Sequence, residues 1–116
     1  MVTTLQQARK GRSTGLQLTE NCVRVLEHRY LKKGPDGKVV ETPEDLFRRV
    51  ARVVAEPERT YNPAITEEEL RRIEQSFYDE MTSLRFVPNS PTLMNAGREM
   101  GMLSACFVLP VEDSIQ

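Results

Sequence analysis

Two cysteines, one histidine and one hydroxyl-bearing loop are the places where this sequence could do chemistry. Cys106 sits in the apolar stretch Ala105-Cys106-Phe107-Val108-Leu109. By local pattern alone it reads as a small core residue, since a thiol buried among apolar groups is inert. A redox or nucleophilic role would need an acid, a base or a second thiol brought close by the fold. Cys22 falls on the apolar stripe of a helix and reads as packing. Sequence gives no distance between Cys22 and Cys106, so pairing stays open. His28 lies off that stripe and reads as a surface residue. The lone histidine and scattered carboxylates match no zinc or calcium spacing. Asn89-Ser90-Pro91-Thr92 is a different signal. Hydroxyls beside prolines are held in restricted backbone shapes and can be aimed at a ligand. An ordinary turn is the plain alternative.

Three helical segments precede the Asn89–Thr92 loop and Cys106. Leu18, Cys22, Leu26 and Tyr30 recur every four residues, which predicts a helix from Leu18 to about Lys32 or Lys33. Its stop is marked by the two lysines and by Gly34-Pro35-Asp36-Gly37. Thr42-Pro43-Glu44-Asp45 predicts the next start: a capping hydroxyl, a proline at the first position and two acids at the positive dipole end. Leu46, Phe47, Val50, Val53 and Val54 are its expected buried face, and Pro57 its end. Thr66 and Glu69 spell a capping box, with Ile65 able to staple onto Leu70. Leu70, Ile73, Phe77, Met81 and Leu84 form the third stripe. Three such helices can pack as a small bundle. After Leu84 the pattern breaks. Arg85 to Gly97 is expected to be an ordered loop, and Met102 to Leu109 a short buried strand stopped by Pro110. Such a strand needs neighbours for its backbone groups, and Lys38 to Glu41 is the other short candidate.

The 116 residues carry 16 Lys and Arg against 17 Asp and Glu, a net charge of −1. That balance gives no electrostatic case for nucleic acid or anionic lipid, and the basic run Arg9 to Arg12 reads as a solvated tail. No apolar run reaches the roughly 18 residues of a membrane span, and no secretory leader is legible. Two cysteines make no disulfide framework. The expectation is a cytoplasmic protein with reduced thiols and no membrane partner.

Arg85-Phe86-Val87-Pro88-Asn89-Ser90-Pro91-Thr92-Leu93-Met94-Asn95-Ala96-Gly97, followed by Leu103-Ser104-Ala105-Cys106-Phe107-Val108-Leu109-Pro110-Val111-Glu112-Asp113-Ser114, closely resembles the first barrel segment of the cobalamin-dependent (class II) ribonucleotide reductases. Leu18-Thr19-Glu20-Asn21 through Arg29-Tyr30-Leu31, and Glu41-Thr42-Pro43-Glu44 through Arg49-Val50-Ala51, resemble the same family's helical lead-in. The resemblance covers about Leu18 to Gln116.

It implies a mainly α chain: a mobile lead-in over 1–17, a helical domain over 18–84, and over 85–116 the start of a ten-stranded α/β barrel. It implies an oxidoreductase that reduces ribonucleotides for DNA synthesis, with adenosylcobalamin as the radical source. Cys106 matches the first of two redox cysteines, and Ser90 and Ala105 match substrate-contacting positions, Ala105 through its backbone. The second thiol, the radical cysteine and the deoxynucleotide effector site that sets specificity belong to later parts of the family's chain, the cobalamin contacts lie outside this one, and the family's amino-terminal ATP-binding regulatory domain is expected to be missing, since too few residues precede Leu18. The implied partners are a ribonucleotide, the remainder of the reductase, a thioredoxin- or glutaredoxin-type reductant and a second copy in a homodimer. Activity of this chain alone is not expected. The competing reading, from the pattern without the resemblance, is a small helical interaction module whose Cys106 is only core.

Overall fold

A computed structural model describes residues 16–113. The lead-in expected over 1–17 falls outside them apart from Leu16 and Gln17. The described residues form five helices and no named strand: α1 Glu20–Arg29, α2 Pro43–Ala55, α3 Glu58–Tyr61, α4 Glu67–Thr82 and α5 Ser90–Asn95. None of the described helices is long and apolar enough to cross a membrane.

Every described helix except α3, which follows Pro57 with no side-chain cap, begins where a side chain satisfies orphan N–H groups. Thr19 caps α1, its hydroxyl accepting from the Cys22 N–H. Thr42 opens α2 with Pro43 in the first turn, and Asp45 returns the capping bond to the Thr42 N–H at 3.0 Å. Thr66 and Glu69 close the box predicted for α4. The Thr66 hydroxyl accepts from the Glu69 N–H at 3.2 Å, and the Glu69 carboxylate accepts from the Thr66 N–H at 2.8 Å.

α2 is the central element, packed on α4 along one side and on α5 near its middle. Leu46, Phe47, Val50 and Ala51 of α2 join Leu26 and Leu31, Met81 of α4, and Leu93 of α5 with its C-cap Ala96 in one buried cluster. Leu18, Cys22 and Tyr30 pack against it partly buried, as the four-residue stripe of α1 predicts. On the α2–α4 seam the Arg48 guanidinium lies 4.1 Å from the Tyr78 ring centroid.

Several expectations need correction. α1 stops at Arg29, before the lysines. In a continued helix Leu31 would sit about 100° round from Tyr30 and off the stripe. Leaving the helix lets Leu31 reach the core, where it is buried. Lys38 to Glu41 makes no strand, only one bridge between Lys33 and Val39 across the Gly34–Gly37 turn. α3 was not legible, because its four residues are too few to show a period. Val54 is exposed on α2 and Ala55 is buried in its stead. Phe77 and Leu84 are also exposed, so the α4 stripe is covered mainly at Leu70 and Met81.

The two largest corrections follow Leu84. Arg85 to Gly97 is not all loop, since Ser90–Asn95 is helical. The Asn89 side chain accepts from the Thr92 N–H at 3.1 Å, and Pro91 falls in the first turn, where no N–H is needed. Met102 to Leu109 is not a strand, and of it only Leu103 packs against the core. Phe107, Val108 and Leu109 are exposed, and so is Cys106. The core is already filled by α1, α2, α4 and α5, and no neighbouring strand among the described residues pairs this backbone.

The α4 cap gives a prediction. The Thr66 backbone N–H, and then its hydroxyl, hold the Glu69 carboxyl below its ordinary 4.5. A lowered folded value means stabilisation that is complete above about pH 4.5 and lost as pH falls through the folded value. Glu67 shifts the same way through its bond from Arg59, and Glu80 through its bond from Arg85. The first turn of α4 should therefore loosen below pH 4.5. The Thr66 amide signal, followed from pH 7 to 2, should move with it. Glu69→Gln keeps a capping side chain but carries no charge, so its acid limb should be flatter.

Candidate substrate loop and redox cysteine

The residues singled out for chemistry lie on α5 and on the segment after it. α5 is held in place mainly by arginines. Arg49, on the buried edge of α2, gives Nε to Glu41 Oε1 at 2.7 Å and Nη2 to Glu41 Oε2 at 3.1 Å. The same guanidinium donates from Nη1 to the Ala96 carbonyl and from Nη2 to the Leu93 carbonyl at 3.2 Å, closing the C-terminal end of α5. The pair is well shielded, with side chains 14% and 8% exposed. Glu41 Oε2 also accepts from the Lys32 N–H at 2.9 Å, so one carboxylate ties the exit of α1 to α2 and, through Arg49, to α5.

Tyr30 is the second tie. Its hydroxyl is 2.9 Å from Ser90 Oγ at the start of α5. Its carbonyl accepts from Arg98 Nη2 at 2.8 Å, just past the end of α5. Sequence reading placed Tyr30 on a packing stripe and did not single out Arg49 or Arg98. The available signal for Arg49 was its register: three residues after Leu46 and four before Val53, an arginine at the border of an apolar face.

Gly97 follows the α5 cap with φ +69°, in the left-handed region. A Cβ there would lie 3.2 Å from Arg49 Cγ and 3.3 Å from Val53 Cγ2. Gly97→Ala should cost about 1–2 kcal/mol from the backbone conformation alone. It should also press on the Arg49 side chain. The check is the urea midpoint of the variant at unchanged m-value.

Beyond Gly97 the chain turns back along α5. Asn95 Nδ2 donates to the Met102 carbonyl at 2.8 Å. The Thr92 hydroxyl lies 2.6 Å from Asn89 Oδ1 and 3.1 Å from the Leu103 carbonyl, with one proton to serve both. The polar side chains of the Asn-Ser-Pro-Thr loop thus build the corner that leads to the cysteine. After Leu103 the bonds become local. Ser104 Oγ donates to the Cys106 carbonyl at 2.8 Å and accepts from the Cys106 N–H at 3.3 Å. The Cys106 thiol is free and exposed, Cys22 is a free thiol half-buried against the core, and His28 is exposed. Among the described residues no hydrogen bond joins Ser90 to Cys106, and no group of three His, Cys, Asp or Glu side chains could hold a metal ion.

This arrangement can present a thiol on an open segment beside a helix whose first hydroxyl is fixed by a tyrosine. It lacks a second thiol at Cys106. Comparison with known proteins identifies the setting. Residues 16–101 match the family model described as ribonucleotide reductase, all-alpha domain. The chain is 40% identical over 157 residues to a vitamin B12-dependent ribonucleoside-diphosphate reductase of Thermoplasma acidophilum, covering 91% of this chain and 20% of that protein. It is 44% identical over 101 residues to the protein of the same description from Mycobacterium tuberculosis, covering 87% of this chain and 14% of that one. A ribonucleoside-diphosphate reductase subunit alpha of Chlamydia muridarum is 33% identical over 105 residues, covering 89% and 9%. The chain therefore spans a fifth or less of the length of these relatives. With a mainly helical structure, the all-alpha domain match and this identity, the chain belongs to the ribonucleotide reductase family.

Proposed function

We propose that this chain supplies one redox thiol and part of the substrate cradle of a cobalamin-dependent ribonucleoside-diphosphate reductase. In this reading residues 18–84 are the helical domain, and 85–116 lead into an α/β barrel completed by the rest of the large chain. The observation that carries it is the free, exposed Cys106 on a segment without strand partners among the described residues, in a chain matched along most of its length to B12-dependent reductases. Pairing with barrel neighbours would give Met102 to Leu109 the hydrogen bonds that a strand requires.

Cys106 is then one of two thiols that close to a disulfide as the substrate takes up two electrons and its 2′ hydroxyl leaves as water. An external dithiol reopens the disulfide. Ser90 contacts substrate through a hydroxyl whose rotamer Tyr30 fixes, and a hydroxyl with one bond to Tyr30 still has capacity for another. Ala105 contacts substrate through its backbone, whose N–H and carbonyl carry no hydrogen bond within the described residues. Adenosylcobalamin would supply the radical. The cleft between the exit of α1 and the turn after α5 does not fit its seat, since a corrin ring calls for a broad apolar wall and Arg29, Lys32, Lys33 and Arg98 make half of that lining. That seat belongs to the rest of the large chain in the proposed enzyme.

The test is reconstitution. This chain and the remaining part of the reductase, purified separately and mixed with adenosylcobalamin and a dithiol, should reduce ribonucleoside diphosphates only together. Reduction by this chain alone, or equal reduction by the remaining part without it, would overturn the proposal.

A further inference from the structure

The cations of this chain are unevenly paired. Arg24, Lys38, Arg49, Arg52, Arg59, Arg72 and Arg85 each have a carboxylate within 3.9 Å. Among the described residues Arg29, Lys32, Lys33 and Arg98 have none. Among the described residues outside this group, only Arg48, which lies over the Tyr78 ring, and Arg71 share that state.

Those four unpaired cations collect in one place. They line an open cleft of about 520 Å³ between the exit of α1 and the turn after α5, with His28 beside them and Glu99 as the single carboxylate. The two walls are far apart in sequence. Arg98 Nη2 joins them by its bond to the Tyr30 carbonyl. Four permanent cations against one carboxylate, in a chain of net charge −1, is a concentrated positive field.

Compensation of the α1 dipole explains part of this. Lys33 Nζ donates to the His28 carbonyl at 3.2 Å, and Arg29 lies over the Tyr30 ring. It does not explain Arg98, whose Nε is buried without an acceptor. Burial first, and the neighbouring Arg49 charge second, push the Arg98 guanidinium below its ordinary value against the opposing charge of Glu41.

We propose that this cleft binds a small soluble oligophosphate, with one phosphate group held between the Arg98 guanidinium and the Lys32–Lys33 pair. With Nη2 on the Tyr30 carbonyl and Nε shielded, Arg98 offers its charge and Nη1 to the cleft, and the lysines add mobile point charges. The volume exceeds one phosphate and lies in the range of small-ligand sites. The proposal does not rest on the reductase reading, because none of Ser90, Ala105 and Cys106 lines the cleft.

The experiment is a titration of the isotopically labelled chain with inorganic pyrophosphate at constant ionic strength, following the arginine Nε–H signals. The Arg98 signal should shift saturably with a single dissociation constant in the millimolar range or tighter. Lys32→Gln with Lys33→Gln, both exposed side chains, should weaken binding at least tenfold while the backbone amides of α2 and α4 stay in place. A parallel arm with ADP identifies the source. Tighter binding than pyrophosphate assigns a nucleotide, and equal binding assigns the phosphate groups alone. Shifts that grow linearly without saturation, shifts as large at Arg48 and Arg71 as at Arg98, or unchanged affinity in the double variant would each refute the site.

Discussion

Replacing Arg49 with alanine should destabilise the helical unit by about 2–4 kcal/mol, somewhat less than breaking a fully buried ion pair from one side, because this pair is part-buried. The pair is shielded, with Arg49 and Glu41 side chains 14% and 8% exposed. Removing the guanidinium strands the Glu41 carboxylate without its bidentate partner. It also uncovers the Leu93 and Ala96 carbonyls at the end of α5. Small domains are stable by only about 5–15 kcal/mol in total, so the variant should keep little folded population in mild urea. Arg49→Lys should recover part of the loss, because it keeps the charge but not the fork that reaches two carboxylate oxygens and two carbonyls. Glu41→Leu combined with Arg49→Met should be milder than Arg49→Ala, since it leaves no unpaired charge. Urea unfolding followed by far-ultraviolet circular dichroism checks the series. A loss under about 1 kcal/mol for Arg49→Ala would place the pair with ordinary surface salt bridges and defeat the argument.

Cys106→Ser in the full-length reductase should reduce dithiol-driven turnover to the assay background, while Cys22→Ser should stay within a few-fold of the parent. A serine hydroxyl cannot close a disulfide, so the two electrons and two protons needed for loss of water from the substrate have no source at this position. Cys22 is half-buried against Leu26 and its neighbours and is not on the segment that carries Cys106. The readout is twofold: product per enzyme over many cycles, and titratable thiols before and after one cycle without reductant. The parent should lose two thiols per product formed, and the Cys106→Ser protein none. Sustained turnover by Cys106→Ser, with Cys22→Ser inactive, would exchange the roles of the two residues.

The helix starts were legible because capping is local chemistry. Thr42 with Pro43 and Asp45, and Thr66 with Glu69, satisfy N–H groups within three residues, and both boxes form. The same rule applied at Asn89-Ser90-Pro91 identifies α5, which instead read as loop. Asn89 caps and Pro91 occupies the first turn, as Pro43 does in α2. The clustering of Pro, Asn and Gly masked a helix of one and a half turns, too short to show a period. The stripe of α1 was legible for the opposite reason, since Leu18, Cys22 and Tyr30 do meet the core at Leu26.

The identity of Cys106 as a residue of interest came from its surroundings in sequence, but its exposure did not. An apolar run reads as buried, and burial depends on what else the chain brings to cover it. Here α2 already meets α1, α4 and α5 in a closed cluster, so Phe107, Val108 and Leu109 have no face left to cover. By itself the sequence determined the helix caps, the apolar stripes and the loop wording that carries the family. Only the tertiary structure decided that Arg49 and Glu41 lock α5 in place, that Tyr30 fixes the Ser90 hydroxyl, and that four unpaired cations share one cleft. The reason is range: caps act within one helical turn, whereas those contacts join residues up to 68 positions apart, and their partners exist only once the helices have packed.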